Sequence, residues 1–168
     1  MRLFRRAKGE YTVAFEHPTQ RVVSAFLRAV ADDDAEALWP LLSRETRGLL
    51  EGLYAARSGL ALHEAAAVDG PDRLRSVLAP LRAALLEALG GTERVLTFGV
   101  SGARLVDRAT AYVLLLPDAA EGLVSEGEWR PAHLVACVQE SREWLIDLGR
   151  TAALSAEAQL PDPLGAIR

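Results

Sequence analysis

Three histidines, one cysteine and a scatter of carboxylates are the groups this 168-residue chain offers for proton transfer, metal binding or nucleophilic attack. His133 and Asp147 form the most suggestive pair. They flank two apolar runs, His133-Leu134-Val135-Ala136-Cys137-Val138 and Trp144-Leu145-Ile146-Asp147-Leu148, that suit the arms of a β-hairpin. A three-residue turn, Glu140-Ser141-Arg142, would make the two diagonal neighbours, close enough for the carboxylate to orient the imidazole and raise its pKa. That is the arrangement general acid/base chemistry needs. The same register puts both residues on the outward sheet face, where an interfacial hydrogen bond or a surface pair accounts for them better than a catalytic dyad.

Other signatures of chemistry fail on spacing. The stretch HEAAA at His63 has no second histidine four residues on, so the helical zinc pattern is missing. GVSGA at Gly99 to Ala103 lacks the final glycine of a nucleophile elbow and falls in a strand hairpin. No histidine–cysteine cluster has metal spacing, and Gly90-Gly91 ends a helix without a phosphate-loop context. Neither a metal nor a cofactor is expected.

The elements that must position these residues are legible in order. Val22, Phe26, Ala29 and Val30 recur at helical spacing after Pro18-Thr19. Asp32, Asp33 and Asp34 interrupt that helix, and Asp33 or Asp34 caps the next one, which Pro40 bends. Ser43 caps a third helix carrying Leu49, Leu50, Leu53 and Tyr54, which ends near Ser58-Gly59. Gly70-Pro71 opens a longer helix that Pro80 should kink or split, and Gly90-Gly91 closes the helical half. After Gly91 the period changes to two. Helices followed by a four-strand meander specify an α+β domain.

In the two hairpins apolar residues occupy both parities. In the first, Phe98, Val100, Ala111, Val113 and Leu115 are expected to face the helices, with Arg104 inward and Leu105, Tyr112, Leu114 and Leu116 outward. In the second, the three-residue turn pairs Val138 with Trp144, Ala136 with Ile146 and Leu134 with Leu148 on the inner face. His133, Val135, Cys137, Leu145 and Asp147 then join an outer face with an apolar centre and polar edges, which suits an interface. A second copy of the chain is the expected cover, with Tyr112, Leu114, Leu116, Val135, Cys137 and Leu145 as contacts.

A capped first helix VVSAFLRAVADDDAEAL, further helices, and antiparallel strands closing on EWLIDL resemble the nuclear transport factor two-like superfamily, which includes ketosteroid isomerase-like proteins. The resemblance spans residues 18 to 149. It implies a cone in which a curved, mostly antiparallel sheet of about four strands wraps its concave face around the helices, often with an apolar cavity and a homodimer on the outer face. Tyr54, His63, Trp39, Phe26 and Arg104 are the candidates for lining such a cavity. Enzymes of this fold place an acid or base inside the cone, yet the inward stripe Val22, Phe26, Val30 carries no tyrosine or carboxylate, so no catalytic residue transfers. Trp39 and Trp144 are assigned to the core, and Trp129 to the core or its edge.

Composition sets the remaining limits. Half the residues are hydrophobic and the net charge is −4, the profile of a soluble globular protein. Cys137 stands alone, so no intrachain disulfide is possible, and a cytoplasmic location is expected. Residues 1–17 form a basic arm, with Arg2, Arg5, Arg6 and Lys8, that a solvated tail explains better than contact with membrane or nucleic acid. No integral membrane segment follows it. Residues 150–168 are expected to be an irregular tail. The functional expectation is a non-catalytic small-molecule-binding or protein-interaction module, a homodimer with no nucleic-acid partner. The alternative is a small lyase or isomerase acting on a hydrophobic substrate in the cone.

Overall fold

A computed structural model describes residues 4–5, 11–12, 17–67, 70–117 and 132–163. Arg2, Arg6 and Lys8 of the basic arm, Trp129, the stretch joining the two hairpins and the end of the tail lie outside the described residues. Two short antiparallel strands, β1 (Phe4–Arg5) and β2 (Tyr11–Thr12), precede the domain.

The helical half follows its punctuation closely. Helix α1 (Pro18–Ala31) is capped by His17, whose ring accepts from the Thr19 amide while Gln20 reaches back to the His17 amide. It buries Val23, Phe26, Leu27 and Val30. Asp34 caps α2 (Ala35–Leu38) by accepting from the Ala37 amide at 2.9 Å. A single 3-10 turn, Trp39–Leu41, carries Pro40, and Arg47 clamps it by donating to the carbonyls of Leu42 and Pro40 and stacking over Trp39. Ser43 caps α3 (Arg44–Ser58), which closes on Gly59 with φ 65°. Helix α4 (Leu62–Ala67) is short. Helix α5 (Pro71–Leu89) runs unbroken through Pro80, so of the expected kink or split the split does not occur. Its stripe of Val77, Leu78, Leu81, Leu85 and Leu89 is buried, and that packing offsets the one hydrogen bond a proline removes. Helix α6 (Thr92–Val95) leads into the sheet.

The strands β3 (Gly99–Val100), β4 (Arg104–Leu105), β5 (Thr110–Leu116), β6 (His133–Glu140) and β7 (Glu143–Ile146) form one antiparallel sheet. The order is β3-β5-β6-β7, with β4 also pairing β5. The fold is therefore α+β, with a curled sheet whose concave face holds the helices. Leu42 adds a parallel bridge to Ile146 at the far edge, which joins the start of α3 to the end of β7.

Register decides which side chains enter the core. On β5, Ala111, Val113 and Leu115 are fully buried, as the alternation predicts. The hairpin β6–β7 differs from expectation by one residue: Glu140 pairs with Glu143, Gln139 with Trp144, Val138 with Leu145 and Cys137 with Ile146. The loop is two residues, Ser141 and Arg142, both at positive φ (48° and 75°), the backbone of a primed turn whose twist matches that of the strands. Neither residue is the Gly or Asn that usually marks such a turn. Because side chains alternate with period two, the shift turns His133, Val135 and Cys137 inward and Leu134 and Ala136 outward.

The largest departure lies after β7. Residues expected to be an irregular tail form helix α7 (Leu148–Glu157), capped by Asp147. It folds back along β6 and buries Leu148, Thr151, Ala152 and Ser155, an i, i+3, i+4, i+7 stripe. The outward residues Leu134, Ala136 and Leu145 are buried yet lie outside the main core cluster. For Leu134 and Ala136 on β6 the cover is this helix, within the same chain.

Candidate functional site

The helix-facing side of the sheet is a packed core. Phe26, Val30, Val113, Leu115 and Ile146 have no exposed surface, and Leu42, Leu81 and Leu85 complete the same cluster. The proposed cavity residues are dispersed. Phe26 is in the centre of the core, Trp39 lies under Arg47, Tyr54 is half-buried on α3, and His63 is exposed on α4. Arg104 pairs with Tyr112 on the outer parity and is exposed, so it does not enter the cone. Grooves of about 350 to 410 Å³ lie instead on the outside, around the Asp32–Asp34 corner between α1, α2 and α5. None of the expected ligand residues lines them. There Arg82 donates to the Val30 carbonyl at 3.0 Å and pairs with Asp33 at 3.1 Å, closing the end of α1.

His133 and Asp147 are not brought together. Asp147, 2% exposed, sits where two helix N-termini converge. One carboxylate oxygen accepts from the Arg150 amide at 2.7 Å, the first turn of α7; the other accepts from the Ser43 hydroxyl at 2.7 Å, the cap of α3. Ser43 also lies 2.9 Å from the Thr46 hydroxyl. Its single proton serves the carboxylate, so Thr46 donates to Ser43 and accepts from the Leu148 amide at 3.0 Å. The Asp147 amide donates to the Ala136 carbonyl, and the Ala136 amide donates to the Thr151 hydroxyl, which itself donates back to the Asp147 carbonyl. Thr151 thus completes the β6 ladder where β7 has ended. A serine beside a carboxylate has the composition of a nucleophile and its base, but both groups are buried and each proton is committed to a cap. The arrangement fastens α3, β7 and α7 together.

His133 pairs with Leu115 on the inner face, with its ring edge-on to Phe98 at 6.1 Å between centroids. Burial pushes its pKa below the ordinary histidine value, and a hydrogen bond to the Pro161 carbonyl acts the other way. Among the described residues Nδ1 has no hydrogen-bond partner.

Val135 and Cys137, expected at an interface, belong to the core. Burial, with Asp147 adding to it, pushes the Cys137 thiol up to about 12. Native protein should therefore react with a disulfide reagent at least roughly a thousandfold more slowly than denatured protein, because the thiolate is both scarce and enclosed. Rapid stoichiometric labelling of folded protein would place Cys137 outside the core. Of the other expected contacts, Leu145 is buried, Tyr112 and Leu114 are half-buried and Leu116 is exposed.

Among the described residues no helix is long and apolar enough to cross a membrane, and no cluster of three metal-ligating side chains occurs. No family model matches the chain, and neither the curated proteins nor the solved structures contain a match.

Proposed function

We propose that this domain is a non-catalytic binding module of the nuclear transport factor two-like type, and that it pairs with a second copy through the outer face of β5. The observation that carries this reading is the limit of α7's cover. The helix lies along β6, while Tyr112, Leu114 and the 37% exposed Leu116 continue the same apolar face on β5. An apolar strand face left partly open beside a covered one suits a self-complementary contact. The packed interior favours recognition at the surface over a ligand held inside the cone.

Native mass spectrometry of the full chain tests this directly. A dimer is expected at micromolar concentration. Replacing Leu114 and Leu116 together by Asp should weaken it roughly a hundredfold, since each would bury an unpaired charge, while leaving the urea midpoint of the monomer nearly unchanged. A wild-type protein that is monomeric at tens of micromolar would remove the dimer reading. A reproducible small-molecule adduct would move the binding role to that ligand.

A further inference from the structure

The groove between the end of α1, α2 and α5 sets charges of both signs around an apolar floor. That floor is Ala29, Leu38 and Leu78, each at most 4% exposed, continued by the half-buried Leu86. At about 350 Å³ the groove has room for one amino acid, at the small end of ligand pockets.

One wall is cationic. Arg75 and Arg82 stand at i and i+7 on α5, two turns apart along one helix face. The bond from Arg82 to the Val30 carbonyl and its pairing with Asp33 both use Nε, so among the described residues neither Nη of Arg82 makes a hydrogen bond. Arg75 lies 3.6 Å from Asp72, too far for a hydrogen bond, and both side chains stand mostly in solvent. The facing wall is anionic. Asp33, at φ 56°, turns the chain out of α1, and the Asp34 amide closes on the Ala29 carbonyl at 3.0 Å, which holds the backbone that carries both carboxylates. Asp34 caps α2 through Oδ1, and its Oδ2 makes no hydrogen bond among the described residues.

We propose that this groove binds a small apolar α-amino acid as its zwitterion, with the carboxylate on the guanidinium groups of α5, the ammonium on Asp34 and the side chain on the floor. This rests on the binding role proposed above, not on the dimer.

Charge selects the zwitterion. Two arginines and two aspartates leave the groove without net charge, so a simple anion or cation gains on one wall and loses on the other. The unused Nη groups of Arg82 suit a carboxylate, and the open carboxylate oxygen of Asp34 accepts from an ammonium. Burying an apolar side chain against Leu38, Leu78 and Leu86 adds the remaining attraction. The charged groups keep part of their hydration, so the dissociation constant is on the order of 1 mM.

An NMR titration of the isotope-labelled full chain with L-leucine tests the site. Saturable amide shifts are expected at Ala35, Ala79 and Ala83, which line the groove, and none at Leu114 or Leu116 on the dimer face. Leucinamide, which lacks the carboxylate, and isocaproate, which lacks the ammonium, should each bind at least roughly tenfold more weakly, because each forfeits one charged contact. Arg75→Gln should weaken leucine to a similar extent, as should Asp34→Asn, which keeps the acceptor for the Ala37 amide. No saturable shift up to about 50 mM leucine, saturable shifts only elsewhere, equal affinity for leucinamide, or unchanged affinity in both variants would each overturn the assignment. The dimer is read separately, from the mass of the assembly, so either reading can fail alone.

Discussion

Replacing Asp147 by Ala should destabilise the domain by about 2–4 kcal/mol, enough to lower the melting temperature by roughly 10 °C in a chain of this size. Two losses add. The first turn of α7 loses its cap at the Arg150 amide, typically about 1 kcal/mol. The Ser43 hydroxyl, fully buried, loses its acceptor, which costs about 1–3 kcal/mol more. Asp147→Asn keeps an acceptor for the Arg150 amide and presents an NH2 donor to the Ser43 oxygen, whose hydroxyl must then turn its proton elsewhere, so it should cost about half as much. Because Ser43 and Asp147 act through one bond, Ser43→Ala in the Asp147→Ala background should cost less than it does alone. Urea denaturation of the four proteins measures this cycle. Additive effects, or an Asp147→Ala midpoint within error of wild type, would mean that the carboxylate does not tie α3 to α7.

Phe26→Ala should be as severe, at about 3–5 kcal/mol, the usual cost of removing a buried aromatic ring. The magnitude separates two roles for this residue. A phenylalanine lining an open ligand cavity would already face empty space or solvent, and its truncation would cost little stability. Phe26 instead has no exposed surface and lies among Val23, Val30, Val113 and Ile146 in one cluster. The deletion leaves a hole that rigid neighbours cannot close. A urea midpoint that barely moves would show that the cone is open at its centre and would restore the case for an internal ligand.

Helix boundaries were the most legible feature of the chain, because each is fixed by a local interaction that a single residue type can satisfy. Asp34 and Ser43 accept amides at N-termini, and Gly59 supplies the left-handed residue that closes α3. The alternation of β5 was legible for a similar reason: its inner residues Ala111, Val113 and Leu115 stand two apart and all are buried. Helix α7 is faint in the sequence because its buried stripe is built of small residues, Thr151, Ala152 and Ser155, behind Leu148 and the helix-weakening Gly149. Asp147 followed at the proper spacing by that stripe was the available signal, but as the last residue of an apparent strand it looked like a polar strand end.

The sequence by itself determined that this is an α+β chain, where α1, α2 and α3 start and stop, and that its sheet buries both faces. Tertiary structure alone decided what buries them. The hairpin register turns on whether Ser141 and Arg142 accept positive φ, a choice that costs little locally and that core packing settles by drawing Cys137 and Val135 into the main core. With that one-residue choice Leu134 and Ala136 face outward, and α7 supplies their cover. The same choice parts His133 from Asp147, turning one inward beside Phe98 and committing the other to two helix caps. Local pattern fixes an element through near neighbours, whereas a strand's partner and facing layer depend on residues far away in the chain, whose contacts form only when the whole domain closes.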